Sequence, residues 1–186
     1  ATPTFEYTLP EEGVAAMCAG TDGKLYVAGV DERTNTGTSS IYIRTTAGGW
    51  TRKQTVTNTQ HIFGMCFVGT RLWVAGHGNP DGILYSDDYG DTWNLGGLGP
   101  SQRYYDIIAL GSALIVQAWD PLPWWPVYRT TNYGGSWNQV VGIESGTGRM
   151  VVWQGVIIGV SNTGKLFTVD SSGTGTEYTP PFTPRQ

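Results

Sequence analysis

Apolar residues in this chain come in short runs, and each run is cut by glycine or a polar turn before a helix could form. Four such runs end on glycine: Ala15 to Gly20, Phe63 to Gly69, Asp106 to Gly111 and Met150 to Gly155. A second run follows each: Leu25-Tyr26-Val27-Ala28, Leu72-Trp73-Val74-Ala75, Leu114-Ile115-Val116 and Val156-Ile157-Ile158. A third is centred on an aromatic ring: Ile41-Tyr42-Ile43, Leu84-Tyr85-Ser86, Val127-Tyr128-Arg129 and Leu166-Phe167-Thr168. A more polar stretch then begins at Trp50, Trp93, Trp137 and, in the last unit, Tyr178. Helical periodicity is absent and turn residues recur every eight to twelve positions, so the pattern predicts short strands.

The glycines that end the first runs are 49, 42 and 44 residues apart, and the tryptophans 43 and 44. A period in the low forties with four strands per unit is the mark of propeller blades. The expected fold is therefore all-β: a small β-propeller of about four four-stranded antiparallel blades. They form a single domain over residues 1–186, with blades near 14–57, 61–98, 104–142 and 148–182. One thin sheet cannot bury both of its faces, so each must lean on its neighbours around an axis. The apolar first strand should line that axis and the polar fourth should meet solvent. Phe5-Glu6-Tyr7-Thr8 echoes Glu177-Tyr178-Thr179, which predicts that residues 4–9 close the ring by pairing with the last blade. Membership of a larger or oligomeric ring is the alternative.

Composition narrows the function. Only 14% of the 186 residues are charged, while glycine has 27 copies, and there are 8 tryptophans and 10 tyrosines. A net charge of -4 with scattered Lys and Arg argues against a nucleic-acid partner, because phosphate binding needs a basic surface. No apolar stretch is long enough to insert into a membrane, and no leader is visible at Ala1. Cys18 and Cys66 match no zinc or redox motif; they read as buried thiols or as one disulfide. His61 and His77 lack metal-ligand spacing, so neither a metal nor a cofactor is expected.

Residues 86 to 93 read Ser86-Asp87-Asp88-Tyr89-Gly90-Asp91-Thr92-Trp93. A softened copy, Thr130, Asn132, Gly134, Ser136 and Trp137, occupies the same place in the third unit. The first unit keeps a shortened form, Arg44 to Trp50, and the fourth keeps Thr168, Asp170 and Gly173. The 86–93 stretch is a full match to the Asp-box, and the chain resembles the bacterial neuraminidase repeat family. On that resemblance the box is architectural. Asp88 should accept backbone N–H groups of its own turn, Gly90 should supply a positive φ, and Trp93 should fold back on the sheet. Ser86, Thr92 and the matching residues of the third unit share this structural role.

Sialidases with such boxes use three arginines, a Tyr–Glu pair and an aspartic acid. None of Arg33, Arg44, Arg52, Arg71, Arg103, Arg129, Arg149 or Arg185 sits in the family's Arg-Ile-Pro context. The resemblance therefore comes without the catalytic set, and sialidase activity is not expected. Asp106, Asp120 and Glu144 could be offered as a glycosidase pair, but solvated surface carboxylates are the default for each.

In such a propeller the loops between second and third strands share one face with the connections between blades, opposite the box turns. The loop Trp119-Asp120-Pro121-Leu122-Pro123-Trp124-Trp125-Pro126 stands out there, since three prolines stiffen it around three tryptophans. Rigid rings beside a carboxylate suit sugar C–H faces and protein hot spots alike. The alternative is that these rings only plug the axis or a seam. The candidate ligand set is Trp119, Asp120, Trp124 and Trp125, with Arg103, Tyr104 and Tyr105 from the preceding connection and His77 from the second blade. The leading expectation is a non-catalytic recognition module for a glycan or a protein surface. A structural piece of a larger assembly or a glycoside hydrolase fragment are the alternatives. Asp-box propellers resemble modules of secreted glycosidases, sorting receptors and phage tail or fibre proteins. The Gly/Thr/Ser-rich composition suits an extracellular or virion setting, as a monomer, homo-oligomer or larger assembly.

Overall fold

The structure, a computed structural model, describes residues 7–9, 13–30, 39–54, 59–78, 82–98, 103–119, 125–143, 148–161 and 163–179; for residues 54, 59, 60, 78 and 119 it describes the backbone alone. These residues form sixteen strands and no helix. Every four consecutive strands make one antiparallel sheet. The first blade comprises β1 (Gly13–Ala19), β2 (Leu25–Val30), β3 (Ser40–Arg44) and β4 (Trp50–Gln54). The second comprises β5 (Thr59–Val68), β6 (Arg71–Gly78), β7 (Gly82–Ser86) and β8 (Asn94–Leu95). The third holds β9 (Arg103–Leu110), β10 (Ala113–Trp119), β11 (Val127–Thr130) and β12 (Asn138–Gln139). The fourth holds β13 (Val151–Trp153), β14 (Val156–Val160), β15 (Leu166–Val169) and β16 (Gly175–Tyr178). Tyr178 thus ends the last fourth strand instead of starting it, because the turn from Asp170 closes early, with Asp170 N–H on the Thr174 carbonyl at 3.1 Å.

Alternation along the strands gives every blade two faces, and three seams bury those that successive blades present to each other. Between the first and second blades lie Tyr26, Ala28, Ile41, Ile43, Met65, Leu72, Val74 and Leu84. Trp73, Ala75, Ile83, Tyr104, Ile107, Leu114 and Val116 fill the second seam. Ile115, Val127, Met150, Ile157, Phe167 and Val169 fill the third. Each fully buried side chain of this size contributes about 1.5–3 kcal/mol relative to exposure, so the seams, not the single sheets, hold the molecule together.

The hairpins after the third strands of the second, third and fourth blades reach back to the preceding blade. In the second blade the Ser86 hydroxyl donates to Asp88 Oδ1 at 2.7 Å and accepts the Gly90 N–H at 2.7 Å. Asp88 also accepts the Thr92 amide at 2.8 Å and hydroxyl at 2.6 Å. The third blade repeats this with neutral groups: Thr130 donates to Asn132 at 2.8 Å, and Asn132 Oδ1 accepts the Ser136 amide at 2.9 Å. Gly90 and Gly134 take the left-handed φ, +98° and +81°, that the bend requires. Trp93 packs into the first seam and Trp137 into the second. The Trp137 indole N–H donates to the Gly96 carbonyl at 2.8 Å. Cations of each preceding blade meet the turn: Lys24 lies 5.8 Å from the Tyr89 ring and Arg71 5.7 Å from the Tyr133 ring. Arg129 donates to the Ser171 carbonyl at 2.7 Å.

Near the axis, buried Asp106 accepts the backbone N–H groups of Ile107 at 3.0 Å and Met150 at 2.7 Å. Arg149 lies 3.7 Å from it and donates to the carbonyls of Ala15, at 2.6 Å, and Phe63, so one side chain ties together three blades and its own. Burial pushes the Asp106 carboxyl above its ordinary pKa, against the opposing pull of the Met150 amide and Arg149. Of the predicted closing strand, residues 4–6 lie outside the described residues; Tyr7 stacks on Trp50 at 5.1 Å and approaches Tyr42 at 6.0 Å, both in the first blade. Both cysteines are free thiols, and burial pushes Cys18 up to about 12.

Candidate functional site

At the end of the blades opposite the turns that follow the third strands, five rings form a continuous ladder across the second and third blades. His77 stacks on His61 at 6.0 Å with the planes 8° apart, and His61 on Phe63 at 5.5 Å. Phe63 meets Tyr105 at 5.1 Å, and Tyr105 stacks on Trp125 at 5.9 Å and 12°. All these separations fall in the range of favourable aromatic pairs. All five rings are half-buried, so each keeps a share of its surface in solvent.

Backbone irregularity creates this row. In β5 the register slips between Ile62, opposite Gly76, and Gly64, opposite Ala75, which leaves Phe63 as the extra residue of a bulge. In β9 the same slip falls between Tyr104, opposite Ala118, and Asp106, opposite Gln117, leaving Tyr105 as the extra residue. Bulges re-aim a side chain out of the pleat, so both rings leave their sheets at matching places and meet. The first blade bulges too, at Ala15, but has no ring to present. At Gly76 a side chain would collide with the His61 carbonyl, which explains the bare backbone beside the ladder. The loop that brings in Trp125 is pinned by the Ala118 N–H on the Pro126 carbonyl at 3.0 Å.

Of the residues expected at a ligand site, His77, Tyr105 and Trp125 come together in this row. Arg103 sits at its rim, half-buried, with its backbone opposite Trp119. Tyr104 does not reach the surface: neighbours on a strand face opposite ways, and its ring is fully buried in the second seam. Asp120, Trp124 and the Trp119 side chain lie outside the described residues. His61, notable in the sequence only for lacking metal-ligand spacing, and Phe63, there the start of an apolar run, belong to the row as well. The signal was present, because Phe63 and Tyr105 each stand six residues before the glycine that ends their strand.

The axial cavity, about 380 Å³, is lined by Met17, Met65, Cys66, Asp106, Ile108 and Arg149 among others. Among the described residues no three His, Cys, Asp or Glu side chains are grouped to hold a metal ion. No helix among them is long and apolar enough to cross a membrane.

Solved structures with a similar chain path are propellers, and the fold of this chain is of that class: all-β, four antiparallel four-stranded blades. A GH74 enzyme of Niastella koreensis superposes with a TM-score of 0.70 at 15% identity, over 90% of this chain and 30% of the other. YCF48 of Cyanidioschyzon merolae gives 0.63 at 22% identity, over 96% and 60%; a YCF48 bound to D1 peptide gives 0.67 at 19%, over 98% and 60%. An auxiliary nutrient binding protein of Bacteroides ovatus gives 0.63 at 13%, over 96% and 50%. The chain thus spans 30–60% of the length of these proteins. No family model matches the sequence, and no curated protein does.

Proposed function

We propose that the chain is a non-catalytic recognition module whose ligand, a glycan or an exposed segment of a partner protein, lies across the ring ladder. The observation that carries this is the ladder itself: five half-exposed rings in stacking contact at the loop end of two blades. A row of rigid rings offers apolar area that loses little side-chain entropy on binding, and sugar C–H faces or apolar side chains stack on it. Similarity to a propeller bound to a peptide and to a nutrient-binding propeller supports a binding role of this general kind. An extracellular or virion setting accords with the weakly charged composition. The 86–93 turn is assigned as an Asp-box, on the support of the matching hydrogen bonds around Asp88 and Asn132.

The test is a glycan array together with capture of peptides, followed by calorimetric titration of the best ligand. Phe63→Ala and Trp125→Ala should each weaken binding by about tenfold or more, in line with loss of a hot-spot ring, with unchanged circular dichroism. Unchanged affinity in both variants sinks the assignment.

A further inference from the structure

At each of the three seams a cation of one blade meets the turn that follows the third strand of the next. Lys24 is paired with Asp22 at 2.8 Å, and Arg71 with both carboxylate oxygens of Asp87 at 2.6 and 2.9 Å. Arg129, at the third seam, has no carboxylate partner among the described residues. Its Nη2 donates to the Ser171 carbonyl at 2.7 Å, while its Nε is buried with no hydrogen-bond partner. Register matches Arg129, opposite Ile115, with Ile43, opposite Tyr26, and with Tyr85, opposite Trp73. Ile43 and Tyr85 pack into the first and second seams, so the third blade places a charge where its predecessors place a ring or an alkyl chain. Gly173 makes room for it, since a Cβ there would stand 2.7 Å from Arg129 Cδ and 3.0 Å from Nε. A guanidinium keeps its charge, and a charge withdrawn from water is ordinarily paired.

We propose that Arg129 anchors a site for a tetrahedral oxyanion, a sulfate or phosphate group, held between the third and fourth blades. It lines a pocket of about 170 Å³ together with Thr131, Ser136, Asn138, Gln139 and Ser172. Among the described residues no Asp or Glu belongs to the wall of this pocket. Thr131, Ser136, Asn138 and Gln139 bring hydroxyl and amide donors to it, and Asn138 stands opposite Arg129 in register. Ser136 Oγ accepts the Asn132 Nδ2–H at 3.0 Å, which leaves the Ser136 hydroxyl hydrogen to donate. Asp170, in the turn below, is occupied within its own hairpin, where it accepts the Ser172 hydroxyl at 2.6 Å and the Thr174 amide at 2.9 Å. A guanidinium among neutral donors suits an anion with several acceptor oxygens, and charge-assisted bonds of this kind are about twice as strong as neutral ones. A carboxylate, with two oxygens, would leave more of these donors unmet than a tetrahedral group. The site lies at the opposite end of the blades from the ring ladder and does not rest on its role.

The test is a titration with inorganic phosphate, followed in the arginine Nε region of a two-dimensional ¹H–¹⁵N spectrum. Sodium chloride at matched ionic strength is the control, and the readout is local because phosphate also stabilises proteins through exclusion from their surface. One Nε signal, identified by its absence from Arg129→Gln, should move and saturate with phosphate while chloride leaves it in place. Acetate should bind more weakly. Asn138→Asp puts a carboxylate beside Arg129 on an exposed edge strand and should weaken phosphate binding about tenfold or more through like-charge repulsion. If Arg129→Gln does not fold, Arg129→Lys identifies the signal equally and Asn138→Asp still decides. Saturation by methyl phosphate as well marks a group carried on an ester, saturation by inorganic phosphate alone marks a free ion, and either supports the site. An Nε signal that phosphate does not move, an equal response to chloride or acetate, or undiminished binding in Asn138→Asp overturns the proposal.

Discussion

Replacing Trp137 and Trp93 by phenylalanine, one at a time, separates the hydrogen bond in a seam from the ring that fills it. Both tryptophans start the polar edge of a blade and pack into the seam with the preceding one. Each substitution removes part of a half-buried ring, at about 1–2 kcal/mol of lost packing. Trp137 also loses the 2.8 Å bond from its indole N–H to Gly96, and a carbonyl deprived of its donor costs about 1–2 kcal/mol more. The Trp93 indole N–H is buried without a hydrogen-bond partner. Its removal lifts a desolvation penalty of about 1–3 kcal/mol that offsets the packing loss. Trp137→Phe should therefore destabilise by about 2–3 kcal/mol and Trp93→Phe by less than about 1, read from urea midpoints at constant slope. Equal losses, or a larger loss at Trp93, would refute this account of the seams.

Gly76→Ala should drive a methyl group against the His61 carbonyl, cost about 1–3 kcal/mol by overpacking, and weaken ligand binding by shifting His61 and Phe63; an unchanged melting temperature would show that the bulge yields freely. Hydrogen bonds from the Thr92 hydroxyl and amide, with that of Ser86, hold the Asp88 carboxyl near 2, against 3.8 when unconstrained. A depressed carboxylate supports the fold above its unfolded value and loses that support as pH falls through its folded one. Asp88→Asn keeps the turn, as Asn132 does in the next blade, so its melting temperature should fall less steeply than wild type between about pH 4 and 2. Parallel curves would contradict that role.

The blades were legible because their seams need apolar alternation at a fixed period, and residues such as Leu72-Trp73-Val74 carry it openly. The site was legible only in part. Prolines and tryptophans drew attention to the loop that delivers Trp125, yet a bulge has no residue type of its own, so the outward turn of Phe63 could not be read from its apolar neighbours. Tyr104 and Tyr105 look alike in the sequence, and a one-residue slip of register puts the first in the core and the second on the surface.

The ladder as ligand platform is tested most directly by the indole N–H region of a two-dimensional ¹H–¹⁵N spectrum, where the eight tryptophans report separately. On titration with the strongest glycan or peptide from the array, the Trp125 signal should move, while those of Trp93 and Trp137, at the opposite end of the blades, stay in place. Movement of Trp93 or Trp137 with Trp125 unshifted would contradict it.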